Sequence, residues 1–211
     1  MLELLVCFAS SLVVAGTLTL IADRAWLDKT AAQENGSENP LRFLLSFGLA
    51  CVCVFSYWTY GFNAIFWKTS IFTSTMMVVA YVDQRTSKVP NVLTLPLLAL
   101  GLLQSTLTAP GLVSSLVGAL IVGGGLLFIA VLTKAIGFGA VKLQMAIGAW
   151  LGWELALAAL LMTVVGMAAA TCVAATSHKR MSQTFPLATY IAISGVLASP
   201  LRDLLSGWMM S

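Results

Sequence analysis

Long apolar runs separated by short polar clusters organise this chain. Eight such runs fit, at roughly 2–22, 42–60, 62–82, 90–107, 111–133, 141–153, 155–176 and 185–205. Most approach the length that an α-helix needs to cross a bilayer, about 20 residues. None shows the in–out alternation of a barrel strand, and lipid leaves helices or closed barrels as the spanning structures. The expected fold class is therefore all-α: a polytopic integral membrane protein of about eight transmembrane helices with short loops. Residues 1–211 would form one membrane-embedded domain, with 23–41 as a short cytoplasmic loop.

The stretch 141–176 needs a break. As one helix it would run roughly 54 Å, against a hydrocarbon core of about 30 Å. Gly152-Trp153-Glu154 supplies a turn, because a charge and the neighbouring Trp150 and Trp153 suit an interface. The helix before it is then short, and the turn preceding that helix would be recessed and wetted. The first run has Glu3 where a signal peptide carries basic residues, and it is long, so it reads as a retained anchor.

Composition agrees with the pattern. The 211 residues are 59% hydrophobic and 9% charged, with mean hydropathy +0.95; a soluble domain carries about 25% charge. A water-facing globule is excluded. The basic residues then orient the chain. Arg24, Lys29, Arg42, Arg85, Lys88, Lys134, Lys142, Lys179 and Arg180 fall at loops on one side, while Lys68 and Arg202 fall on the other. The first side is cytoplasmic, and positions 83 and 140 lie on it. The net charge of +3 is explained by this topology and gives no support to nucleic-acid binding. Cys7, Cys51, Cys53 and Cys172 all lie in apolar runs and read as packing residues. Cys51 and Cys53 point to nearly opposite sides of a helix, which argues against a shared metal. His178, in His178-Lys179-Arg180, has no evident metal partners.

Two clusters carry the candidate chemistry. Asp83 ends an apolar run and opens the stretch Asp-Gln-Arg-Thr-Ser-Lys-Val-Pro-Asn-Val-Leu-Thr-Leu-Pro, which includes Pro90, Asn91 and Pro96. An acid at the end of a membrane helix is often an interfacial cap. Downstream comes Gly137-Phe-Gly139-Ala140-Val-Lys142-Leu. Glycines there let the backbone turn sharply and a strand approach closely. Lys142 reads either as a site residue or as a positive-inside anchor, and Asn91 as a loop contact near Asp83 or a helix-start cap.

Together these motifs resemble the type IV prepilin peptidases, membrane aspartyl proteases with a Gly-x-Gly-Asp-x-Lys-Leu turn. The first stretch is similar to that family's first aspartate motif. Phe185-Pro186-Leu-Ala-Thr189 is similar to the start of its last helix. The resemblance covers about 42–206. It implies an endopeptidase that removes the basic leader of type IV prepilins or pseudopilins. The reaction would take place at the cytoplasmic face of the bacterial inner membrane. Asp83 and position 140 would be the catalytic pair, with Gly137, Gly139, Lys142, Pro90 and Asn91 shaping the site or binding substrate.

The chain departs from the family at Ala140, where the second catalytic Asp belongs. Aspartyl proteolysis uses two carboxylates that share a proton, one acting as base on water and the other polarising the scissile carbonyl. A methyl group does neither. The resemblance thus implies an inactive chain, either an Asp-to-Ala variant or a natural pseudopeptidase that binds pilin-like helices without cutting them. Many family members also methylate the new amino terminus with S-adenosylmethionine and carry paired cysteine motifs in a larger cytoplasmic domain. Residues 23–41 contain no cysteine, so neither that cofactor nor zinc is expected.

Overall fold

The computed structural model describes residues 40–87, 89–133, 136–176 and 187–200. Among them the chain forms six helices: α1 (Pro40–Tyr60), α2 (Ala64–Thr86), α3 (Asn91–Ser105), α4 (Leu112–Thr133), α5 (Phe138–Thr176) and α6 (Leu187–Ala198). Three stretches, Ala64–Gln84, Leu112–Leu132 and Phe138–Cys172, are long and apolar enough to cross a membrane. The fold is all-helical, as the apolar runs require. The expected anchor 2–22, most of the 23–41 loop with Arg24 and Lys29, Cys7, Lys88, Lys134, His178, Lys179, Arg180, Pro186 and Arg202 lie outside the described residues. Pro40 and Leu41 already belong to α1.

Two compact units divide the chain, Met1–Tyr81 and Val82–Ser211. In the first, α1 and the part of α2 up to Tyr81 are joined by a turn whose residues dictate it. The Gly61 amide bonds the Tyr57 carbonyl at 2.8 Å, with φ at 65°. Glycine adopts that left-handed conformation without a Cβ clash and so closes α1. Asn63 Oδ1 then accepts from the amides of Ile65 at 3.0 Å and Phe66 at 3.2 Å, which satisfies two orphan donors at the start of α2. Phe66 stands edge-on to Tyr57, with ring centroids 6.2 Å apart, and locks the hairpin.

The second unit is assembled around α5, which packs against α3, α4 and α6. Glycines set the approach. Gly118 of α4 and Gly148 of α5 meet backbone to backbone, and Gly123 accommodates Met145. Gly124 and Gly125 face open space, so of that glycine run only Gly123 serves packing. Outward on α4, Leu120, Ile121, Phe128, Val131 and Leu132 are exposed, as a lipid-facing surface would be. At the other end of α5, Thr163 Oγ1 and Ser194 Oγ are 2.6 Å apart and join it to α6.

The break expected near Gly152-Trp153-Glu154 is present as a kink within α5. Gly152 has φ 78° and ψ 174°, and the helix continues on either side of it. A Cβ on Gly152 would lie 2.6 Å from Ser114 Oγ and 2.9 Å from Pro110 Cβ, so a side chain there would meet both strain and atoms.

Trp150 differs from its expected place at the interface. It is 3% exposed, its ring fills the space left by Gly101, and its Nε1 donates to the Leu97 carbonyl at 2.6 Å. Burial is possible because that carbonyl answers the indole N–H. Trp150→Phe should therefore lower stability by about 0.5–1.5 kcal/mol, read as a fall in melting temperature in detergent. An unchanged melt would mean that the bond contributes nothing.

Candidate functional site

Helix α2 runs past Asp83 to Thr86, so the carboxylate lies inside the last turn rather than after it. Ser87 ends the helix with φ 50°, and its amide bonds the Asp83 carbonyl at 2.7 Å. The Asp83 side chain is 4% exposed. Its Oδ2 accepts from the Thr189 amide at 2.9 Å and from Thr189 Oγ1 at 3.2 Å. Thr189 is the third residue of α6. First-turn amides lack intrahelical partners, and the positive end of the helix dipole favours a carboxylate. Asp83 is thus held by the start of α6, not by interfacial water. Thr189 had been assigned no role from sequence. The signal available was a hydroxyl in the first turn of a helix that follows Pro186.

Val89 and Pro90 lead from Asp83 into α3. Pro90 is the N-cap, extended at φ −73° and ψ 130°, and makes no side-chain cap. Asn91 is therefore not the helix-start cap considered above. It is the first helical residue, and its Oδ1 accepts from Lys142 Nζ at 3.0 Å. The reason is spacing: proline fixes the extended residue, so asparagine falls one place too late to cap.

The second motif opens α5. The Ala140 amide bonds the Gly137 carbonyl at 3.0 Å, and Ala140 is 5% exposed. Its two glycines differ. A Cβ on Gly139 would lie 2.8 Å from Val89 Cβ and 3.3 Å from the Val89 carbonyl, whereas one on Gly137 would meet nothing. Gly139, not Gly137, is the close approach that the turn requires. Gly139→Ala should weaken the junction of the two motifs by about 1–3 kcal/mol. Gly137→Ala should leave the melting temperature within about 1 °C, and equal melts for the two variants would contradict the contact.

The structure thus brings the two motifs together through two contacts, Val89 on Gly139 and Asn91 with Lys142. Asp83 is anchored just upstream by Thr189. One turn along α5 from Ala140 sits Gln144, fully buried, with neither amide atom hydrogen-bonded. Position 140 offers no second carboxylate. Among the described residues no group of three or more His, Cys, Asp or Glu is placed to hold a metal.

Comparison with known proteins points the same way. Residues 70–173, which include Asp83, Pro90, Asn91 and the whole second motif, match the sequence model of the type IV leader peptidase family. The chain is 29% identical over 149 residues to a prepilin leader peptidase/N-methyltransferase of Aeromonas salmonicida (strain A449), covering 67% of this chain and 51% of that protein. Proteins of the same description from Dickeya chrysanthemi and Stutzerimonas stutzeri are 32% and 33% identical over 143 and 163 residues. Those alignments cover 63% and 71% of this chain, and 49% and 55% of the relatives. The chain spans about half the length of these curated relatives. No solved structure matches.

Proposed function

Residues 70–173 match the sequence model of the type IV leader peptidase family, and from that match we propose that this chain binds type IV prepilins or pseudopilins without cleaving them. It is a membrane aspartyl endopeptidase in architecture, with about eight spans in a single domain in the bacterial inner membrane and its site toward the cytoplasm. The observation that carries the reading is the joined pair of motifs with Ala140 where the second acid belongs. Asp83 and position 140 are the catalytic positions. Gly139, Lys142, Asn91 and Pro90 hold the turn and the loop against each other. Gly137 leaves the turn's mouth open. No metal and no S-adenosylmethionine enter this reading.

The Asp83 carboxylate is engaged by Thr189, so it keeps a structural use in an Asp-to-Ala variant and in a natural pseudopeptidase alike. Leader release from a prepilin in membranes, compared between this chain and Ala140→Asp, is the test.

A further inference from the structure

Gln144, which follows the second motif directly on α5, is a buried polar group that the reading above does not use. It is 0% exposed, and both its Oε1 and its Nε2 lack a hydrogen-bond partner. An unpaired buried amide is costly, and more so where water is scarce. Such a group persists where something other than the resting fold needs it. Ala140 and Gln144 are four residues apart on one helix, which puts them on one face. Both are buried, and Ala140 adjoins the turn that Gly139 presses against Val89.

Building on that binding role, we infer that Gln144 is a peptide-binding residue, pairing with the main chain of the bound substrate at the level of position 140. The chemistry selects the partner. A primary amide offers one acceptor and two donors, which match the C=O and N–H of an extended peptide. It carries no charge, so it recognises backbone rather than a basic or acidic side chain. Because Gln144 is closed off at rest, the peptide reaches it by parting the motifs. The bond that yields is the exposed one between Lys142 Nζ and Asn91 Oδ1.

A structural role and a binding role predict opposite stabilities for Gln144→Met. Removing an orphan amide from an apolar site should leave the melting temperature equal or higher. A binding residue should at the same time lose affinity. The probe is a fluorescein-labelled peptide with the basic leader and the first apolar residues of a type IV prepilin. Its anisotropy is read with the full chain in nanodiscs. The expected result is at least tenfold weaker binding by Gln144→Met, with no loss of thermal stability. Equal binding by both forms overturns this inference and leaves the prepilin-binding role intact. A lower melting temperature for Gln144→Met also overturns it, because the amide is then part of the resting fold. No binding by the unchanged chain removes both this inference and the role it rests on.

Discussion

Ala140→Asp is expected to turn a chain that releases no leader into one that does, and Asp83→Asn in that background is expected to abolish release again. Removing one member of a catalytic unit costs on the order of 10⁴-fold or more in rate, so restoring it should lift cleavage from baseline to an easily measured level. The local geometry suits the repair. Position 140 lies in the first turn of α5, whose amides favour a carboxylate. Gln144 lies one turn on, within i,i+4 reach as a donor. Asp83 is already fixed by two hydrogen bonds to Thr189. The Asn control is informative because its side-chain oxygen still accepts from Thr189 while it can no longer take a proton from water. A loss of cleavage then reports chemistry rather than unfolding. If Ala140→Asp is folded yet inert on several prepilins, Asp83 and position 140 do not form a catalytic pair.

Much of this was legible in the sequence, and the failures have physical causes. Among the described residues the apolar runs located the helices, with 141–153 and 155–176 joined as one kinked helix. The break at Gly152 could be read from a helix too long for the bilayer and from the charge and tryptophans beside it. The end of α2 was misplaced because sequence treats a terminal Asp as facing water. Here the partner is Thr189, 106 residues away, and with that partner the helix continues through Asp83 to Thr86. Trp150 was misread for a related reason: the rule that puts tryptophan at interfaces does not see the slot left by Gly101 or the free lone pair on Leu97. The two glycines of the second motif look equivalent in one dimension. Only the neighbour Val89 separates Gly139, which needs to be glycine, from Gly137, which has open space around it.

The same distinction sets the largest stability effect expected here, that of Gly148→Ala. A Cβ at Gly148 would lie 2.5 Å from the Gly118 carbonyl carbon and 2.6 Å from the Ala119 nitrogen. Reciprocally, a Cβ at Gly118 would lie 2.8 Å from the Gly148 carbonyl oxygen. Backbone meets backbone, so no side chain can swing aside, and α4 and α5 must separate. Close approach of this kind is the usual source of helix association in a membrane, where lipid removes the hydrophobic drive. The cost should reach about 3 kcal/mol, the upper end for overpacking. Gly124→Ala and Gly125→Ala are the matched controls. Both positions face open space, and alanine is the better helix former by up to about 1 kcal/mol, so these variants should melt at or above the unchanged chain. The effect should also reach the site, because Gly139, Ala140 and Lys142 ride on the same stretch of α5, ahead of the Gly152 kink. Gly148→Ala should therefore weaken prepilin-peptide binding along with the melt, whereas the controls should not. If Gly148→Ala melts like Gly124→Ala, the α4–α5 crossing is not what positions the second motif, and the support for residues 137–142 must come from the other helices packed on α5.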